Sequence, residues 1–137
     1  MSDYAVDASV ALKWFMPEED AAIAEALIVS GHTLHAPRFL AVEAVNSAWK
    51  NWRKGLIGED VVRDTTRRLE TFVDHWHADE VLLPDAAALA IRLNHPVYDC
   101  IYLALAGTAS ATLITANKRL LAVAPKGLAI ALEDWRA

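Results

Sequence analysis

The longest uncharged run of the chain, 100–117, decides what kind of fold can hold it. A membrane span needs about 20 predominantly apolar residues, and Gly107, Thr108, Ser110, Thr112 and Thr115 interrupt this run. It reads instead as a buried helix followed by a buried strand. A strand that is apolar on both faces needs cover on both faces, and the flanking segments must supply it as helices. Strands are expected at 3–6, 33–36, 80–83, 112–115 and 128–132. Helices are expected between them: 8–15 stopped near Pro17, 18–29 ending at Gly31, and 37–54 with Pro37 in its first turn and Gly55 closing it. Apolar spacing at Val62, Thr66, Leu69, Phe72, Val73 and Trp76 predicts a further helix over 59–76. Pro84-Asp85 opens another, 97–106 is the buried one, and a short helix starts near Asn117. Five short strands alternating with helices predict an α/β fold with a central parallel five-stranded sheet.

At 137 residues, with no repeat and no linker, the chain reads as a single domain spanning 1–137. Being 55% hydrophobic and 23% charged argues against disorder, and a net charge of −5 gives no global attraction for a polyanion. A nucleic-acid enzyme of this composition needs its basic residues grouped locally. The single Cys100 excludes an intrachain disulfide and a cysteine zinc cluster, and reads as an inert buried thiol. The start, Met-Ser-Asp-Tyr, lacks the basic and apolar regions of a signal peptide, so a cytoplasmic protein without membrane association is expected.

Three carboxylates are isolated in apolar surroundings. Asp7 ends the run Tyr4-Ala5-Val6, Glu43 is the only acid between Glu25 and Glu59, and Asp99 is the only one between Asp85 and Glu133. An ionised carboxylate in such a place is unfavourable unless paired or bound to a metal, and three of them point to one shared cation. Ligands of parallel α/β sheets bind beyond the carboxyl ends of the strands, where strand order reverses. Asp7 and Asn117 each lie just past an expected strand, Glu43 is in the helix after the second strand, and Asp99 is in the first turn of the buried helix. The plainer reading of Asp7 and Asp99 is helix capping.

The segments Val6-Asp-Ala-Ser9, Glu43, Tyr98-Asp-Cys-Ile-Tyr-Leu-Ala-Leu-Ala106 and Leu113-Ile-Thr-Ala-Asn-Lys-Arg-Leu120 together resemble a PIN domain. Specifically, they resemble a VapC-type toxin ribonuclease of a type II toxin–antitoxin system, over essentially the whole chain. The resemblance implies a three-layer α/β/α sandwich, dependence on Mg2+ or Mn2+, and endonucleolytic cleavage of RNA. It also implies a cognate antitoxin protein as partner, and a homodimer. The family's four acidic positions fall at Asp7, Glu43, Asp99 and position 117, where this chain has Asn117. Three carboxylates suit one hard cation; a fourth position without charge makes a second metal doubtful.

The residue types assign the roles. Asp7 and Asp99 are expected as direct metal ligands, Glu43 as a group acting through water, and Asn117 as an outer neighbour that contacts metal-bound water. The cation would activate water for in-line phosphodiester cleavage. Ser9 and Thr115 hydroxyls are placed to orient carboxylates or phosphate. Glu43, Asn46, Ser47, Lys50 and Lys54 share a helix face, a polar ridge suited to a phosphate backbone, which Arg53, Arg63, Arg67 and Arg68 would widen. Val42, Val45, Trp49 and Trp52 form an adjoining stripe for core or protein contact. The histidines lack zinc spacing and read as loop or helix-end residues. The alternative to an active nuclease is a PIN-fold module, weakened or inactivated at Asn117, that binds RNA or a protein partner.

Overall fold

Asp3–Val6 forms β1, Thr33–Pro37 β2, His75–His77 β3, Thr112–Thr115 β4 and Ala129–Ala131 β5 in a computed structural model describing residues 1–137. The helices are α1 (Ala8–Ala11, continued by a 3-10 turn at Leu12–Trp14), α2 (Ala21–Ile28), α3 (Phe39–Arg53), α4 (Glu59–Phe72), α5 (Asp79–Leu93), α6 (Val97–Thr108) and α7 (Lys118–Val123). All five strands are parallel, in the order β3-β2-β1-β4-β5. The chain steps from β1 outward to β3, then crosses back over the sheet to β4 and β5. With right-handed crossovers, that reversal places α1–α4 on one face and α5–α7 on the other. The result is the expected three-layer α/β/α sandwich.

Helix α6 is buried from Cys100 through Ala106 and packs on β1, β2 and β4, while α5 packs on α6. Its neighbour β4 is buried from Leu113 to Thr115, so the uncharged run sits at the centre of the molecule. Helix α3 buries Leu40, Ala44 and Ala48; two of these three are alanines. Its tryptophans lie elsewhere: Trp49 and Trp52 are exposed.

Two expectations along the third crossover are corrected. The segment 80–83 is helical, within α5, and the third strand is His75–His77. Asp79 and Glu80 occupy the first turn of α5, where acids favour a helix amino end. Asp79 Oδ1 also accepts the Phe39 N–H at 3.0 Å, tying that turn to the start of α3. Pro84 lies inside the helix. Trp76 continues the apolar spacing of α4, yet Val73 is already extended and the helix stops at Phe72. Asp74 redirects the chain: its N–H donates to the Leu34 carbonyl and its Oδ2 accepts the Leu34 N–H, at 2.9 and 2.8 Å. The strand is then held by a side-chain relay in which His35 Nδ1 lies 2.9 Å from His77 Nε2 and His35 Nε2 lies 2.8 Å from Asp3 Oδ1. His35, His75 and His77 are therefore strand residues rather than loop or helix-end residues.

Smaller shifts occur elsewhere. The first helix gives way to the 3-10 turn after Ala11, the second begins at Ala21, and Pro37 is the last residue of β2. Strand order reverses between β1 and β4. The carboxyl ends of these two strands carry Asp7 and the Thr115–Asn117 turn.

Candidate active site

Asp7 directly follows β1 and caps α1, its Oδ1 accepting the Val10 N–H at 3.2 Å. The same oxygen accepts the Ser9 hydroxyl at 2.5 Å, and Oδ2 accepts the Thr115 hydroxyl. Both hydroxyl oxygens accept in turn: Ser9 Oγ from the Ala116 N–H and Thr115 Oγ1 from the Asn117 N–H, each at 2.9 Å. Ser9 and Thr115 therefore join the β1–α1 turn to the β4–α7 turn across the point of strand reversal. The capping and acid-site readings of Asp7 coexist in one side chain. Asp7 is only 4% exposed, and burial raises its pKa above the usual 3.8. The hydroxyls and the Val10 N–H offset part of that rise, and the Asp99 charge adds to it.

Glu43 lies early in α3 and accepts the Tyr102 hydroxyl on Oε1. Burial raises its pKa, the Tyr102 hydrogen bond opposes the rise, and the charges of Asp7 and Asp99 add to it. Burial and the adjoining Glu43 push the Tyr102 phenol far above its usual range, so it stays a donor. Asp99 is in the first turn of α6. Its Oδ2 lies 2.7 Å from His95 Nε2 and accepts Asn117 Nδ2 at 3.5 Å. Asn117 also caps α7, its Oδ1 accepting from Arg119 and Leu120 at 3.1 and 3.2 Å.

Asp7, Glu43, Asp99 and Asn117 thus share one edge of the sheet. The first three are close enough that Asp7 and Asp99 repel each other and both repel Glu43. As they stand, no three His, Cys, Asp or Glu side chains are grouped at metal-holding separation. A hard cation such as Mg2+ does not require three, since it keeps several waters and is commonly held by one or two carboxylates. Two carboxylate oxygens are left free: Glu43 Oε2 and Asp99 Oδ1 receive no hydrogen bond from the protein, whereas both oxygens of Asp7 do. An all-oxygen set with net negative charge fits Mg2+ or Mn2+ and does not fit a soft metal.

The basic ridge is only partly as expected. Asn46 and Lys50 on α3 and Lys54 at its C-cap are exposed, and Lys50, Arg53 and Lys54 line a shallow depression. None of Asn46, Lys50 and Lys54 is hydrogen-bonded to the acids. Arg53 lies 5.0 Å from the centre of the Trp49 ring. Arg63, Arg67 and Arg68 are paired along α4 with Glu59 and Asp64 in exposed ion pairs. Val42, Val45 and Trp49 line an apolar groove with Val62 of α4.

Two site residues escaped the sequence reading. His95 stands four residues before Asp99, the spacing of neighbours on a helix, and was legible in principle. Tyr102 was not, because its partner lies 59 residues away on another helix.

Buried Asp7 and part-buried Glu43 and Asp99 thus lie where strand order reverses in a parallel sheet, and comparison with known proteins gives the family. The PIN domain family matches residues 4–126, and the chain belongs to that family. It is 34% identical over 117 residues to Ribonuclease VapC3 of Pyrobaculum aerophilum, covering 84% of this chain and 89% of that one. The crystal structure of PAE2754 from Pyrobaculum aerophilum superposes with a TM-score of 0.75 at 23% identity, over 96% of this chain and 85% of that one. VapBC2 from Rickettsia felis, solved bound to a DNA fragment from the promoter, gives a TM-score of 0.69 at 11% identity, over 94% and 98%.

Proposed function

We propose that this protein is a VapC-type endoribonuclease, the toxin of a toxin–antitoxin pair, acting with Mg2+ or Mn2+. The observation that carries the reading is the convergence of Asp7, Glu43 and Asp99 at one sheet edge. There Thr115 and Asn117 link Asp7 to Asp99, Tyr102 of the Asp99 helix holds Glu43, and Glu43 Oε2 and Asp99 Oδ1 receive no hydrogen bond from the protein. The likeness to Ribonuclease VapC3 supports RNA as the substrate.

Asp99 and Glu43 would hold the cation through these oxygens, and Asp7 would complete the negative set from the strand end. When bound, a divalent cation supplies charge neutralisation at the scissile phosphate and a more acidic water. The protein's own part is positional. Ser9 and Thr115 fix the Asp7 carboxylate, and Lys50 and Lys54 attract the phosphate backbone from the distal end of α3. Tyr102 fixes Glu43 through Oε1, and burial raises the Glu43 pKa. The groove lined by Val42, Val45, Trp49 and Val62 is suited to the apolar face of an antitoxin helix. The fold neighbour VapBC2 was solved bound to a promoter DNA fragment. A homodimer is part of the proposal, to be read from solution mass.

The test is cleavage of a structured RNA with and without Mn2+ by wild type, Asp7→Asn and Asp99→Asn. Metal-dependent cleavage reduced roughly 100-fold or more in both variants is expected. RNA binding without cleavage by the wild type would identify the inactive module instead, a role that the amide at Asn117 favours.

A further inference from the structure

Each of the two unpaired carboxylate oxygens belongs to an acid whose other oxygen is held by a ring donor. We infer that Tyr102 and His95 are positioning residues, which fix Glu43 and Asp99 by one oxygen each and so keep Glu43 Oε2 and Asp99 Oδ1 available to a divalent cation. The inference rests on the nuclease reading and deepens it.

Tyr102 is the stronger half. It is 1% exposed, set among Cys100, Ile101, Leu103, Ala104 and Leu105, and Glu43 is its hydroxyl's only partner. A buried phenol in an apolar helix is unfavourable without a partner. Here the partner comes from α3, across the sheet edge from α6. The hydroxyl consequently selects one rotamer of a glutamate that has three rotatable bonds, lowering the entropy lost when a ligand is bound. Phe39 and Tyr98 stack 5.7 Å apart between the same two helices and hold their separation.

His95 acts on the other acid by local geometry. It precedes Pro96, and its carbonyl lies 3.7 Å from the Cys100 thiol, which anchors the turn entering α6. From that turn Nε2 reaches Asp99 Oδ2 at 2.7 Å. A carboxylate only accepts, so the proton of this bond sits on Nε2 in either charge state of the ring. The Asn117 amide approaches the same oxygen, which leaves Oδ1 without a protein partner. Ligand carboxylates held by such outer hydrogen bonds lose about 10–100-fold in metal affinity or activity when the bond is removed.

The experiment compares wild type with Tyr102→Phe, His95→Ala, His95→Gln and the control Tyr98→Phe. Mn2+ affinity is measured by calorimetry on the free protein, and kcat and KM on one RNA. Tyr102→Phe retains the ring and the core. It is expected to bind Mn2+ about tenfold more weakly and to lower kcat with KM for RNA unchanged. His95→Ala should behave likewise, His95→Gln should regain part of the loss through its amide donor, and Tyr98→Phe should match wild type. Circular dichroism melts separate loss of fold from loss of affinity. Wild-type Mn2+ affinity in Tyr102→Phe and His95→Ala overturns the positioning role. A wild type that binds no Mn2+ and cuts no RNA instead refutes the nuclease reading itself.

Discussion

Replacing Asn117 by Asp puts a fourth acid beside Asp99, and its consequences can be worked from the hydrogen bonds at that position. One oxygen of the new carboxylate would keep the cap on Arg119 and Leu120. The other would take the place of Nδ2, 3.5 Å from Asp99 Oδ2, turning a donor–acceptor contact into a contact between two acceptors. Two unit charges at that separation repel by about 5 kcal/mol at an effective dielectric of ~20, and by about 1 kcal/mol in bulk water. The Asp99 side chain is 26% exposed, which places the site between these limits. Adding the lost hydrogen bond, the metal-free protein should lose about 2–4 kcal/mol at neutral pH. For a domain of this size that is a fall in Tm of about 10 °C. A cation reverses the balance, because the fourth charge attracts it. Mn2+ should bind about tenfold tighter, equivalent to 1.4 kcal/mol, and RNA cleavage should rise. The assay is a thermal melt of both forms across a Mn2+ titration, paired with cleavage of one RNA. If Asn117→Asp melts with wild type when metal-free and is no better at any Mn2+ concentration, the amide is not wired to Asp99 as described.

Three further outcomes are expected. Burial holds Asp7 and Glu43 above their usual 3.8 and 4.5, so at and above those values the folded chain binds more protons than the unfolded one; metal-free stability should be fullest below about pH 4 and decline as pH rises through the folded values, and the decline should flatten in Asp7→Asn/Glu43→Gln melts. His77 has the opposite sign: burial and the neighbouring His35 and His75 lower it from 6.5, so its contribution is lost as pH falls below that value, a loss that His77→Gln should remove. Lys50→Ala/Lys54→Ala should fold normally and bind RNA with a shallower dependence on log salt, by about one to two units of slope; an unchanged slope would return both lysines to ordinary solvated residues.

How much of this the sequence disclosed depends on how local each signal is. The helix 97–106 and the strand after it were legible because an uncharged run too short for a membrane has only the interior left to occupy. The third strand was not. Trp76 extends the spacing of α4 by one turn, and only the tie between Asp74 and Leu34, 40 residues apart, shows that the chain has turned. The apolar segment 80–83 resembled a strand because periodicity alone does not separate a short apolar run from part of a helix. At the site, isolation in apolar sequence singled out Asp7, Glu43 and Asp99; Asp7 lies just past a strand while Glu43 and Asp99 lie on helices, and the structure brings the three to one edge. Ser9 and Thr115 were also legible, and both contact Asp7. What holds Glu43 was invisible, since Tyr102 reads as one more aromatic in a buried helix.

The central claim is that Asp7, Glu43 and Asp99 form one site for one divalent cation, and diffraction from crystals soaked in Mn2+ tests it most directly. An anomalous peak about 2.1 Å from Asp99 Oδ1, with Glu43 Oε2 or a water bound to it completing the contact, is the predicted result. A peak elsewhere on the molecule, or none at millimolar Mn2+ with the acids in place, would contradict it.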